Sequence, residues 1–440
     1  MIDERHERLL DQVRRSDVEL IHLQFCDIPG AIKSVAIPAN RLQTSLERGV
    51  WFDGSSVEGM ARVAESDLYL RPDPATFALL PWEARPTGRL LCDICLPDGS
   101  PFPADPRDAL RRVLAEAADL GYAYRVGCEL EFFVFEDRDG LVADGQVPQP
   151  LDTSSYFDES DDRAANLCWT AAAALDKFGF AVETTHHEVA PGQFEIDLAE
   201  TDALAAADAV VALKWALRSF GRREGLLVSF MPKPLEGASG SGMHVQQVLA
   251  GRDGANAFTG GEGEYGLSAV GERFIAGQLA HARGMTAVIA PLVNSYKRLM
   301  GGAEAPARIS WARTNRAALI RVPEVAPAGG ARVELRAPDP SCNPYLALAV
   351  MLGCGLHGVR DELALPPPVE HGAAEDAAGQ GDPLPSTLGE ALEELDWDPM
   401  VRAALGQPIF ERFLAAKEAE WADFRRHISL WELQRYFKGT

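Results

Sequence analysis

The chain has 440 residues, 47% apolar and 24% charged, an ordinary globular balance with room for two or more domains. Its 42 Lys and Arg face 65 Asp and Glu, a formal net charge of −23, which argues against nucleic acid or an anionic membrane as partner. No apolar run reaches bilayer length and the charged opening MIDERHERLLDQVRR lacks an export core, so neither a membrane span nor secretion is expected. Seven cysteines, an odd number lying mostly in apolar runs, suit a reducing cytoplasm.

Residues 3–15 predict an amphipathic helix, VELIHLQFCD a strand and, after the turn Ile28-Pro29-Gly30, AIKSVAI a second strand. A helical stretch over 40–49 leads to the loop WFDGSSVEG, and further strands end at RLLCDICLPDG. Residues 1–100 therefore predict a small α+β domain and 101–440 a larger one. Cys92 and Cys95 form a C-x-x-C with no second pair to complete a zinc site, and read as buried strand cysteines. Asp105-Pro106 opens a helix that Gly121 closes. Beyond it, strands are expected over 122–136, 180–187, 193–199, 226–230, 243–249 and 331–337. Helices are expected over 161–178, 202–224, 266–290, 343–361 and 407–425, an order too irregular for a doubly wound sheet. HGAAEDAAGQGDPLPS reads as a surface loop.

The chemistry sits in four short segments. CELEFFVF is apolar and β-prone yet carries Glu129 and Glu131, which share one strand face. Two like charges on a largely buried strand call for cations, although a half-exposed strand with Cys128, Phe132 and Val134 inward reads equally well. In HHEVAPGQFE, Pro191-Gly192 turns the chain so that Glu188 and Glu195 meet across a bend. GSGMH delivers His244 from a glycine-rich loop into a strand, and RVELR puts Arg332, Glu334 and Arg336 on one face. Singly, each segment is more often structural. Together they offer five carboxylates and one imidazole, an oxygen-rich set suited to hard ions such as Mg2+ or Mn2+. NSYKR and the run from Arg313 through Arg316 to Arg321 add cations of the kind that bind carboxylate and phosphate, or that pair with acidic neighbours.

DGSSVEG, CELEFFVF, HHEVAPGQFEIDL, FMPKPLEG, GSGMHV, NSYKRL, EAP, NRAALIRVP, RVELRAPDP and NPYLALA, in that order, resemble the signature segments of bacterial class I glutamine synthetases, in their shorter, non-adenylylated form. The resemblance runs from about residue 18 to the C-terminus. It implies a β-grasp-like N-terminal domain, a large catalytic α/β domain with a curved antiparallel sheet, and a dodecamer of two stacked hexameric rings. It also implies ATP and two or three divalent ions in each site. By motif, Glu129, His244 and Glu334 resemble one metal site and Glu131, Glu188 and Glu195 the other. Glu183, Gln246, Arg316 and Arg321 match nucleotide-binding positions, and Gly240, His244, Arg298, Glu304 and Arg336 substrate-binding ones. Asp53, from a neighbouring subunit, matches the residue that binds ammonium and takes its proton, Glu304 matches the flap carboxylate, and the resemblance implies that Tyr156 lines the same pocket. The implied reaction joins ammonia to the side chain of glutamate through an acyl phosphate.

The sequence also departs from the family pattern. Ser239 stands where Asn is usual, Gly301-Gly302-Ala303 replaces the Pro-Gly-Tyr of the flap, and Gly329 replaces a lysine for which Arg332 could substitute. Gln246 stands where relatives carry His or Asn, and Arg62 matches an arginine tied to feedback inhibition, or is a surface arginine. These changes cluster around substrate. They leave open a ligase for a larger amine, such as a polyamine or ethanolamine. A non-catalytic family member would show broken metal sites, and all six ligands are present.

Overall fold

The computed structural model describes residues 4–57, 67–137, 149–159, 162–261, 263–300, 305–324, 330–370 and 381–437. Arg62, Gly301–Glu304 and Gly329 lie outside them.

Helix α1 (Glu4–Arg15) precedes strands β1 (Leu20–Cys26) and β2 (Ile32–Pro38); helix α2 (Leu42–Arg48) then leads to β3 (Val50–Asp53), β4 (Asp67–Pro72), β5 (Ala78–Leu79) and β6 (Thr87–Cys95). They form a sheet in the order β2-β1-β6-β4-β3, with β5 also on β6. The β1–β6 pair is parallel and the other pairs are antiparallel. Every residue of β6 is buried, which is why LLCDIC reads as a continuous apolar run. All seven cysteines are free and buried, Cys92 and Cys95 among them.

Helix α3 (Pro106–Asp119) follows, with Asp105 accepting from the Arg107 amide at its start. The buried Arg107 guanidinium ties the first sheet to the rest, bonding Asp93 at 2.8 Å, Asp73 at 3.0 Å and Asp208 at 2.9 Å. The remaining strands are β7 (Tyr122–Glu136), β8 (Val182–His187), β9 (Gln193–Leu198), β10 (Thr201–Asp202), β11 (Leu226–Ser229), β12 (Met243–Gly251), β13 (Trp311–Ala312), β14 (Ile320–Arg321) and β15 (Val333–Leu335). They form a second sheet in the order β13-β14-β15-β12-β7-β9-β8, with β10 and β11 also on β7; only β13–β14 is parallel. Helices α4 (Asp162–Lys177) and α5 (Ala203–Arg223) lie between these strands in sequence.

Residues 266–290, expected as one helix, are two: α6 (Ala269–Ala280) and α7 (Ala282–Ile289). The break falls at His281, whose ring reaches Asp398 at 2.8 Å and His357 at 2.9 Å. Those tertiary bonds hold the residue at φ −106°, ψ 9°, off the helical path. Helix α8 (Ser295–Leu299) carries Arg298, and α9 (Pro344–Arg360) is buried along nearly its whole length, with Asn343 capping it. Helices α10 (Leu388–Trp397), α11 (Pro399–Leu405), α12 (Gln407–Arg426) and α13 (Leu430–Tyr436) complete the chain. Around α13, Ile428, Leu430, Trp431 and Phe437 are each more than 60% exposed. Among the described residues, no helix is long and apolar enough to cross a membrane.

Candidate active site

Strand register puts the charged motifs side by side. Glu129 pairs with Asp197 on one side and His244 on the other; Glu131 pairs with Glu195; Gln246 pairs with Glu334, and Glu334 with Arg321. His186 stands opposite Glu195 across β8–β9. Facing partners in an antiparallel pair share a face, so these side chains all rise from one surface of the sheet. Cys128, Leu130, Phe132 and Val134 point the other way and are fully buried. The i, i+2 spacing of the two glutamates thus marks a charged face laid over a core face.

Two groups of side chains converge there. Ligand atoms of Glu129, His244 and Glu334 lie within 4.8 Å of one another, and so do those of His186, Glu188 and Glu195. His244 Nδ1 is 3.2 Å from Glu129 and 3.7 Å from Glu334, and its Nε2 is 3.8 Å from Glu131. Glu131 Oε2 accepts from the Gly242 amide at 2.9 Å and from Gln193 Nε2 at 3.0 Å. Burial would raise Glu129, but His244, Gln246 and Arg336 hold it down at about 2. Glu131 is raised by burial, and by Glu188, against the pull of His244 and Arg298. Glu195 is driven far up by burial, by Glu131 opposite, and by Asp197 and Glu188. A carboxylate cluster in which burial and like charges oppose the ionisation of Glu131 and Glu195 fits divalent cations, and the oxygen-and-imidazole donor set suits hard ones.

The cluster floors two adjoining cavities of about 350 and 460 Å³, which share Glu131, Glu188, Val189, His244 and Arg336. Gly240, Ser239, Lys233, Gln193 and Arg298 line the first. Arg298 is buried, and its Nη atoms bond the carbonyls of Arg336, Ala337 and Pro338. A side chain on Gly240 would strike Pro232 O at 2.4 Å, so the loop must pass bare against the backbone there. Tyr156, Gln246, Arg316, Arg321, Arg332 and Glu129 line the second cavity. Gln246 donates to Glu129 at 2.9 Å, and Arg321 and Arg336 reach Glu334 at 3.1 and 2.6 Å.

Two sequence candidates fall elsewhere, and a third is not among the described residues. Glu183 is exposed in a bulge near the start of β8 and lines neither cavity. Asp53 is exposed at the end of β3, where it accepts from Ser55, and no described residue of the first 100 lines either cavity. Glu304 lies outside the described residues. The sequence reading also passed over three residues that the fold brings in. His186 shares a strand side with Glu188 by i, i+2 spacing, a signal that was available. Asp197 shares its strand side with Glu195 by the same i, i+2 spacing, whereas the uncharged Gln193 has no pattern that marks it out.

Exchanging Glu195→Gln removes one of the mutually repelling carboxylates. The variant is expected to keep or raise the melting temperature of cation-free protein, yet lose the rise that Mn2+ gives the parent. That rise corresponds to about 2.7 kcal/mol at a hundredfold excess over Kd. Thermal denaturation with and without Mn2+ checks it; an undiminished Mn2+ effect in the variant would place the cation elsewhere.

The family described as "Glutamine synthetase, beta-Grasp domain" matches residues 17–97, and "Glutamine synthetase, catalytic domain" matches residues 103–436. The chain is 44% identical to a glutamine synthetase of Clostridium saccharobutylicum, covering 98% of each chain. It is 45% identical to one of Methanosarcina mazei, covering 98% of this chain and 97% of that one. A solved structure described as a GmaS/ADP complex superposes with a TM-score of 0.89 at 31% identity, covering 100% of both chains.

Proposed function

We propose, because this chain belongs to the glutamine synthetase family, that its two adjoining cavities are the glutamate and nucleotide halves of one ligase site. The reaction is glutamate–ammonia ligation: ATP and ammonia convert L-glutamate to L-glutamine, ADP and phosphate. The observation that carries the assignment of the site is the shared floor. Glu131, Glu188, His244 and Arg336 line both cavities, with Arg298 in the first and Glu129, Glu195, Glu334, Arg316 and Arg321 in the second.

In this reading, Glu129, His244 and Glu334 hold one divalent cation, and Glu131, Glu188 and Glu195, with His186 beside them, hold one or two more, Mg2+ or Mn2+. Bound there, such cations clamp phosphate oxygens and offset their charge. Arg316, Arg321, Gln246 and Glu183 bind the nucleotide. Gly240, Arg298, Arg336, His244 and Glu304 hold glutamate with its side-chain carboxylate toward the γ-phosphate. A carboxylate oxygen attacks phosphorus, ADP leaves, and a γ-glutamyl phosphate forms. Arg316 and Arg336 face the charge that spreads over the transferring group. Ammonium has no lone pair, so Asp53 of a neighbouring subunit takes its proton, and the freed ammonia displaces phosphate from the acyl carbon. Tyr156 and Glu188 border the amine, and the flap bearing Glu304 shuts out water that would hydrolyse the acyl phosphate.

Residues 1–100 form the β-grasp-like domain of this reading and 101–440 the catalytic domain. A dodecamer of two hexameric rings is supported by the exposed apolar residues around α13 and by the absence of described N-terminal residues from both cavities. The reading places the enzyme in the cytoplasm, with nitrogen assimilation as its role; its free cysteines suit that compartment.

The test is phosphate release with ATP, Mg2+ and glutamate across a panel of amines. Ammonium should stimulate release most, and Asp53→Asn should cut the ammonium-dependent rate about a hundredfold. Stimulation by polyamines or ethanolamine alone would show that Ser239 and Gly301–Ala303 have re-shaped the amine pocket. No turnover with any amine would mark a binding protein.

A further inference from the structure

The loop between β13 and β14 carries Arg313 and Arg316 and leads to Arg321 in β14, yet it has little regular structure of its own. A segment far along the chain holds it. Val369 N donates to Trp311 O at 2.8 Å, Trp311 Nε1 to Pro366 O at 2.6 Å, and Asn315 Nδ2 to Val369 O at 3.0 Å. At its centre stands Glu370, whose carboxylate accepts four hydrogen bonds. They come from the amides of Arg313 at 2.7 Å and Thr314 at 2.8 Å, the Thr314 hydroxyl at 2.6 Å, and the Tyr265 hydroxyl at 2.7 Å. Four donors of this kind are the usual inventory of a carboxylate that fixes backbone. The Arg313 guanidinium lies over the Tyr265 ring, 4.8 Å from its centroid, and Tyr265 meets Trp311 edge-on at 4.8 Å.

The fixed loop reaches the site through its carbonyls. Arg321 Nε donates to Arg313 O at 3.2 Å, and Arg336 Nε donates to Arg316 O at 3.1 Å. Both arginines then grip Glu334. Two arginines that face the cavity are thus oriented by carbonyl oxygens of one short loop, and a single carboxylate outside the cavity sets that loop.

We propose that Glu370 is a positioning residue for nucleotide binding: by fixing residues 313–316 it aims Arg316, Arg321 and Arg336 into the cavity lined by Glu334. The proposal rests on the reading of Arg316 and Arg321 as nucleotide-binding residues. The Glu370 carboxylate is held at about 2: burial would raise it, but the donors from Thr314, Arg313 and Tyr265 outweigh burial. The latch therefore stays ionised through the neutral range.

The experiment measures ADP binding by titration calorimetry in the presence of Mg2+, together with KM for ATP and for glutamate. It uses the full-length parent, Glu370→Ala, Glu370→Gln, Tyr265→Phe and Arg321→Ala. Glu370→Ala should weaken ADP binding and raise KM for ATP about tenfold, with a smaller rise of about threefold in KM for glutamate, because Arg336 loses its hold on the same loop. Glu370→Gln, which keeps one acceptor oxygen, should recover part of the loss. Tyr265→Phe removes one of the four donors and should cost about twofold to threefold in ADP affinity; it decides the matter if Glu370→Ala does not fold. Unchanged ADP affinity in the Glu370 and Tyr265 variants, beside a weakened Arg321→Ala, would overturn the latch alone. Unchanged affinity in Arg321→Ala would overturn the nucleotide reading beneath it, and the latch with it.

Discussion

Glu334→Gln is expected to lower turnover about 10²–10³-fold and to destabilise the chain as well. Glu334 is 1% exposed, and its two oxygens are spent on different guanidiniums, Arg336 at 2.6 Å and Arg321 at 3.1 Å. An amide of the same shape keeps one acceptor and turns an NH2 toward an arginine. It also removes a charged ligand from the group of three that Glu334 forms with Glu129 and His244. Breaking a buried ion pair from one side costs about 3–5 kcal/mol, because the partner charge stays buried. Arg336 is nearly buried and bears that cost, whereas the Arg321 side chain is 30% exposed and is partly relieved by water. Steady-state rates and melting curves, each with and without Mn2+, separate the two effects. Turnover within threefold of the parent would remove Glu334 from the site.

Gly242→Ala should be nearly as damaging, about a hundredfold in kcat/KM, although it adds one carbon and no charge. A Cβ there would sit 2.4 Å from Arg298 Nη2 and 2.9 Å from His244 Nε2. Arg298 cannot swing aside cheaply, since it is buried and bonded to three carbonyls. Displacement passes to His244 or to the loop itself, and Gly242 is bonded through both its N–H and its C=O to Glu131. One methyl group would therefore disturb both clusters and the floor between the cavities. Gly254→Ala is the control: its φ is +79° with nothing within 4 Å, so the substitution strains a turn by about 1 kcal/mol and leaves turnover alone. Equal kinetics for the two variants would mean that close packing at Gly242 is not what the site depends on.

What could be read from the sequence was whatever local periodicity encodes. The two-residue spacing of Glu129 and Glu131, and of Glu334 and Arg336, places each pair on one strand face, and the strand register then sets those faces side by side. The turn at Pro191-Gly192 is real, with Gly192 at φ +67°, and it folds β9 back on β8. The strand over 122–136 has the expected ends. Features set by distant contacts were not legible. The break at His281 depends on Asp398, 117 residues away. Strands β13 and β14 have two residues each, too short to show a period. Glu370 lies 56 residues from Thr314 and in sequence is one more acidic residue in an acidic chain. Asp53 is the opposite case: its role came from motif resemblance alone, and nothing in a single chain brings it to the cavities.

The central claim is that this face activates the glutamate side chain by phosphorylation before the amine attacks. It is tested most directly with glutamate carrying 18O in its side-chain carboxylate, incubated with ATP, Mg2+ and 15N-ammonium. An acyl phosphate requires that one carboxylate oxygen leave with phosphorus when ammonia displaces it. The expected result is one 18O in each phosphate released and 15N in the side-chain amide of the product. Phosphate free of 18O, released at the same rate, would mean that water and not glutamate attacks ATP, and the assignment of the two cavities would fall.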